Sequence, residues 1–295
     1  MVIGIDVGGT NIKGVLIDGK RIVASIRVPV KSRTNRKIII DQISECIKSL
    51  GSKVKVAGIG IGVASPVDFK EQKILNPPNI KGLKNLKLGK IIEKKFGIKT
   101  IIDNDVHCMV LAEATLGAAK GRKSVVGLTI GTGVGGGIIL DGKIVRGKSG
   151  TAGELGHMTI VKNGLKCRCG SKGCLEAYIS EGGQERLAKE ILGKKMDSIS
   201  LQKLAEKGNK KAIKAWKTIG ENLGLGLANI VDTLNPEVIV IGGGIAWAGK
   251  LLLRPAIEAM KKNIVSKRAK NTKIVRVKLG KLSGAIGAAV LATKK

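Results

Sequence analysis

Aromatic residues are close to absent, with two Trp, one Tyr and two Phe in 295 residues. Few side chains are therefore available to stack on unpaired bases, the usual platform of single-strand nucleic-acid binders. Acidic residues are scarce as well, 22 against 53 Lys and Arg, for a formal net charge of +31. A pI near 10.2 meets the usual screen for nucleic-acid binding. Yet the lysines are spread through almost every segment and nowhere form a block of five or six like charges. The excess is read as bearing on solubility and on encounter with an anionic substrate; no nucleic-acid partner is expected. No apolar run is long enough to span a membrane. The opening Met1-Val-Ile-Gly-Ile-Asp6 has no basic stretch and places an acid inside its apolar run, unlike a signal peptide. With its thiols clustered, the chain is expected in a reducing cytoplasm.

What is abundant is glycine, 42 residues, and three strand-like runs are especially rich in it. The first, Val2 to Asn11, carries Asp6-Val7-Gly8-Gly9-Thr10-Asn11 and continues into Ile12–Ile17 and Asp18-Gly19. It reads as a β-hairpin. The second, Val125 to Leu140, repeats that layout with Gly131-Thr132-Gly133 at its turn and Asp141-Gly142 at its end. A repeat roughly 120 residues apart points to two domains built on one plan. The third is Val238–Ile241 followed by Gly242-Gly243-Gly244. Helical spacing marks Asn35–Leu50, Val106–Leu116, Glu181–Leu192, Ala212–Val231, Lys250–Ile264 and Ser283–Ala292, with short strands at Val54–Val63 and Lys99–Ile102. Strands alternating with helices mean an α/β architecture with mixed sheets. Two domains are expected: residues 1–108 with 281–295 as a small lobe, and residues 109–280 as a large one.

Successive N–H groups in a tight glycine turn make an anion-binding nest, and an acid beside it can hold Mg²⁺ through water. The two hairpin turns together can grip the phosphates of one nucleotide. Neither has the spacing of a Rossmann or P-loop motif. Asp103-Asn104-Asp105 ends a strand and opens a helix, where open α/β sheets do chemistry. One of the three is expected to cap the helix; three capping types in a row exceed that need. His157, Cys167, Cys169 and Cys174 crowd three of the five cysteines and one of the two histidines into one short stretch. Three thiols cannot pair off, and Cys-x-Cys is too short for a comfortable disulfide. A structural zinc site of the Cys₃His type is the better reading.

Taken in order, the two hairpins, Asp103-Asn104-Asp105-Val106, Glu154-Leu-Gly-His157, Cys167-Arg-Cys169-Gly-Ser-Lys-Gly-Cys174-Leu-Glu176 and the late triple glycine resemble the ROK family of sugar kinases and repressors. That resemblance implies the two-domain actin-like ATPase (ribonuclease H-like) fold, with an active-site cleft between the domains. It implies transfer of phosphate from ATP, with Mg²⁺, to the 6-hydroxyl of a hexose, glucose being the leading substrate and N-acetylglucosamine or N-acetylmannosamine the alternative. Asp105 resembles the general base. Ser65, Asn79, Asn104, Asp105, Glu154, His157 and Glu176 resemble sugar ligands. Asp6, Gly8, Gly9, Thr10, Asn11, Lys13, Gly131, Thr132, Gly133, Gly243 and Gly244 fall on the nucleotide side. The family's repressors carry an additional N-terminal helix-turn-helix domain, so a chain opening on the phosphate strand looks like a kinase. A homo-oligomer, dimer or tetramer, is expected. One departure stands out in Gly60-Ile-Gly-Val-Ala-Ser65-Pro66-Val-Asp68: Ser65 occupies a position where the family has glycine, which bears on the choice of sugar. Asn76-Pro-Pro-Asn79 fits the family's second sugar-side loop.

Overall fold

The computed structural model describes residues 1–293. The chain forms two compact units, one of residues 1–123, 138–152 and 277–295, the other of residues 124–137 and 153–276. The expected lobe boundary at 108/109 falls inside a helix that lies wholly in the first unit.

The first unit opens with β1 (Val2–Val7), β2 (Asn11–Asp18) and β3 (Arg21–Pro29). The β1–β2 pair is antiparallel, with Val7 opposite Ile12, so the hairpin expected around Gly8-Gly9 is present. Helix α1 (Arg36–Gly51) starts where Asn35 accepts a hydrogen bond from Ile38 N. It buries Ile39, Ile43, Cys46, Ile47 and Leu50 against the sheet. The strand expected from Val54 begins only at Gly58, as β4 (Gly58–Val63). The residues before it are held in the turn that leaves α1, with Val54 N–H on Gly51 O at 3.3 Å. A short hairpin, β5 (Val67–Asp68) and β6 (Lys73–Ile74), precedes α2 (Leu88–Phe96), β7 (Thr100–Asn104) and α3 (Asp105–Thr115). The sheet order is β3-β2-β1-β4-β7, with β4 and β7 parallel to β1.

The second sheet repeats that order. It holds β8 (Val125–Ile130), β9 (Val134–Leu140), β10 (Lys143–Ile144), β11 (Val238–Gly242) and β12 (Lys273–Arg276), arranged β10-β9-β8-β11-β12. Here too the last two strands run parallel to the first. Asp141 and Gly142 both take positive φ, 49° and 75°, as a two-residue hairpin turn requires. The helices of this unit are α4 (Leu175–Ile179), α5 (Glu181–Leu192), α6 (Ser198–Glu206), α7 (Lys210–Leu234) and α8 (Lys250–Asn263).

The chain returns to the first unit as α9 (Ser283–Thr293), a helix made almost entirely of small and aliphatic residues. Its composition follows from where it lies. It packs on β1, β4 and α3 so closely that a Cβ on Gly60 would stand 1.7 Å from Ala288 O, and one on Gly4 2.0 Å from Ala285 O. Gly4 and Gly60 are partners in register. The sheet thus presents bare backbone to α9 on one face, while Ile3, Ile5, Ile59 and Ile61 fill the core on the other.

Candidate active site and metal centre

In the first unit the candidate side chains collect where β1 and β7 end and β2 begins. Asp6, at the end of β1, is 7% exposed and receives the Lys13 ammonium at 2.9 Å. Beyond it the turn is tight, with Gly8 N–H on Asn11 O at 3.1 Å. A Cβ on Gly9 would lie 2.9 Å from Asn79 Cβ, so the proline-stiffened loop seats directly on the turn. Asn11 Oδ1 accepts from Arg27 Nε at 3.2 Å, and Thr10 is exposed.

Asn104 is the helix cap: its Oδ1 accepts from Val106 N at 2.8 Å and His107 N at 3.2 Å. Its Nδ2 donates to Ser65 O at 3.2 Å. Ser65 is buried, and its hydroxyl turns onto Pro66 O at 2.9 Å. Asp105, the first residue of α3, is half-buried. Burial and the neighbouring Asp6 carboxylate push it up to about 6, against smaller opposing effects of Val106 N–H, His107 and Lys13. A carboxyl near 6 is ionised at neutral pH yet basic enough to take the proton of an alcohol as that alcohol attacks.

In the second unit, Gly131 N–H bonds Gly133 O at 2.9 Å across the hairpin turn, and Glu181 N–H bonds Gly131 O at 2.8 Å. Gly243, at φ +86°, lies against the end of β8: a Cβ there would meet Ile130 O at 2.2 Å. The adjoining Gly244 begins a short 3₁₀ turn over Ile245–Ala248. Glu176 is 8% exposed, with Oε2 on Val134 N at 2.9 Å and Oε1 facing the Cys167 thiol at 3.7 Å.

His157, Cys167, Cys169 and Cys174 present ligand atoms that all lie within 4.8 Å of one another. His157 Nδ1 stands 3.6 Å from Cys167 Sγ, and the Cys169 and Cys174 sulfurs are 3.7 Å apart. Two thiolates at tetrahedral angles on zinc, with Zn–S of about 2.3 Å, are separated by about 3.8 Å. The four residues therefore fit that ion. The Ser171 backbone N–H draws the Cys169 thiol down to about 7, while burial pushes Cys174 up to about 12. The imidazole turns its other nitrogen, Nε2, toward Glu154 Oε2 at 3.9 Å.

The sequence profile of the ROK family matches residues 2–295. The chain belongs to the ROK family. An N-acetyl-D-glucosamine kinase of Photobacterium profundum is 35% identical, over 100% of both chains. The crystal structure of a ROK hexokinase from Thermus thermophilus superposes with a TM-score of 0.89 at 34% identity, covering 99% of this chain and 97% of that one. A ROK glucokinase from Streptomyces griseus, crystallised with glucose and AMPPNP, has a TM-score of 0.85 at 30% identity, covering 99% and 98%. The duplicated sheet plan is thus the actin-like ATPase fold of ROK proteins.

Against this ROK framework the sequence reading missed one network and one residue. Asp103, 2% exposed, accepts from Arg146 Nε at 2.9 Å and Nη2 at 2.6 Å and bonds His107 Nδ1 at 2.9 Å. His107 Nε2 reaches Ala152 O at 3.3 Å, and the Arg146 guanidinium lies 3.7 Å over the Phe69 ring. Burial would raise Asp103, but His107 and Arg146 together hold it below the usual carboxylate range. The four-residue step from Asp103 to His107 was a readable signal; Arg146 lies 43 residues away and was not. The missed residue is Arg168, inside the cysteine motif, whose Nη2 donates to Thr132 O.

Proposed function

We propose that this ROK protein transfers phosphate from ATP to the 6-hydroxyl of a hexose, with glucose as the leading substrate. The observation that carries the reading is Asp105: a carboxyl at the mouth of β7, raised to about 6 beside the Asp6–Lys13 pair on the first phosphate hairpin. Phosphoryl transfer asks a protein for positioning, charge neutralisation and one proton acceptor. Asp105 serves as the acceptor. Asn104, Asn79, Glu154, His157 and Glu176 serve as sugar ligands, and the turns at Gly8–Asn11, Gly131–Gly133 and Gly243–Gly244 as nucleotide ligands. Asp6 and Lys13 would place Mg²⁺ and phosphate charge, since an acid at the nest suits a hydrated cation. His157, Cys167, Cys169 and Cys174 would hold zinc, which when bound clamps the loop that carries them. The Streptomyces griseus relative, crystallised with glucose and AMPPNP, supports both the sugar and the nucleotide.

A second reading, an N-acetylhexosamine kinase, is favoured by one observation. The Photobacterium relative matches the whole chain at 35% identity. Ser65, which stands where a family glycine is expected and donates its hydroxyl to Pro66 O, bears on the choice of sugar without favouring either reading. A coupled-enzyme panel of glucose, mannose, fructose, N-acetylglucosamine and N-acetylmannosamine decides between them. The glucose reading requires the highest kcat/KM for glucose. No turnover of any hexose by protein that binds ATP would overturn the kinase reading itself.

A further inference from the structure

Between two of the zinc-type ligands sits Arg168, the side chain that links the cysteine loop to the Gly131–Gly133 turn. Its guanidinium donates to Thr132 O and lies 3.7 Å from Glu176 Oε1. Glu176 in turn accepts from Val134 N, the residue that follows the turn, at 2.9 Å. Gly133 has no side chain where one would collide: a Cβ there would lie 2.7 Å from Glu176 Oε2. The turn is therefore held at its middle carbonyl from the metal loop and at its exit amide from α4, which follows that loop directly.

We propose that Arg168 is a positioning residue that couples the metal-holding loop to the nucleotide-side turn, so that metal binding orders the amides meant for phosphate. The physical link is the planarity of the peptide unit. The C=O of residue 132 and the N–H of residue 133 lie in one plane and point opposite ways. Holding Thr132 O on Arg168 therefore fixes the direction in which Gly133 N–H points. With glycine on both sides of Thr132, the free turn has more conformations to lose than one built of residues with a Cβ. A donor anchored by two flanking cysteines removes that freedom before the nucleotide arrives, which is the general route from preorganisation to affinity.

The inference rests on reading Gly131–Gly133 as a nucleotide turn, and the test separates the two. AMPPNP binding to the metal-loaded protein is measured by calorimetry without sugar, for wild type, Arg168→Ala, Arg168→Lys and Gly131→Asp. Gly131 has open space at its Cβ position, so the aspartate fits and sets a like charge beside the phosphate. Arg168→Ala should weaken AMPPNP about 3- to 10-fold, the worth of one charge-assisted hydrogen bond at an exposed site. It should raise KM for ATP more than KM for sugar. Arg168→Lys should recover part of the loss, and it stands in for alanine if alanine loosens the metal. The deficit should persist as salt is raised, because screening would erase a purely coulombic attraction. Chelation should weaken AMPPNP in wild type and add little in Arg168→Ala. Nucleotide affinity unchanged in Arg168→Ala, a deficit that vanishes in salt, or wild type indifferent to chelation each overturns the coupling. If Gly131→Asp binds AMPPNP like wild type, the turn has been misread and the proposal falls with it.

Discussion

Replacing Asp105 by asparagine keeps the shape of the side chain and removes its charge. As the proton acceptor, the residue should be indispensable to turnover: Asp105→Asn should retain sugar binding and lose about 10²–10⁴ in kcat. More than half of wild-type kcat would rule it out as the base. In wild type the acidic limb of kcat/KM should bend near pH 6, since only the ionised carboxyl accepts a proton. The same raised value has a cost in stability. Its folded-state value lies above the ordinary 3.8, so ionisation opposes folding, increasingly from about pH 4 to pH 6 and fully above that. Asp105→Asn should therefore melt higher than wild type at pH 7.5, by about 1–3 kcal/mol, and lose the advantage below about pH 4. The lower end is expected because the side chain is half-buried and a helix N-terminus favours its charge. Arg146 is a second case decided by burial. Its partner Asp103 is 2% exposed, and removing one member of a buried pair strands the other. Arg146→Ala should cost about 2–4 kcal/mol in urea denaturation, whereas Arg254→Ala, from an exposed pair with Glu258, should cost under about 0.5 kcal/mol.

At the scale of elements, the close seating of α9 on β1 and β4 leaves no room for a methyl group. Gly60→Ala should destabilise the protein by about 2–3 kcal/mol, because the obstruction is backbone and cannot rotate away. A variant as stable as wild type would mean that α9 sits further from the sheet. The cysteine loop is the other element with a direct test. A strong chelator should lower Tm and weaken sugar affinity together, since a metal bound to the folded state alone stabilises it by mass action. Protein purified without added zinc and carrying no stoichiometric metal would refute the site. Much of this was legible beforehand. The duplicated glycine hairpins announced two sheets on one plan because a turn's chemistry is local, and α1 and α3 declared themselves through spacing, α3 also through its capping residues. Other elements were silent. β3 is an edge strand, mostly exposed, and only Ile26 and Val28, alternating with Arg27 and Pro29, turn toward the core. The roles of Arg146 and Arg168 depend on partners 43 and 36 residues away, a fact of the fold that no local pattern encodes. Among Asp103, Asn104 and Asp105, sequence showed that one would cap but not which. The structure gives the cap to Asn104 and the buried ion network to Asp103, leaving Asp105 beside Asp6.

For the whole molecule the excess of 53 basic over 22 acidic residues is the dominant long-range property. Such a field raises the encounter rate of anions and is screened by salt. kcat/KM for ATP should fall several-fold as salt rises from about 0.02 to 0.5 M, while kcat/KM for a neutral hexose at saturating ATP stays nearly level. Equal salt sensitivity for both substrates would show that the field plays no part in capture. The seating of α9 has a different consequence, one of time instead of energy. On the ribosome β1 is made long before the helix that covers its glycine face, residues 283–293. Segments 124–137 and 153–276, which form the second unit, are complete before that helix emerges. Domains generally close as units during synthesis, in the order in which their parts appear. Here that order is broken: the first sheet waits, with one face uncovered, until the whole second unit has been made. A newly made chain is thus exposed to aggregation and to chaperone capture until α9 is released.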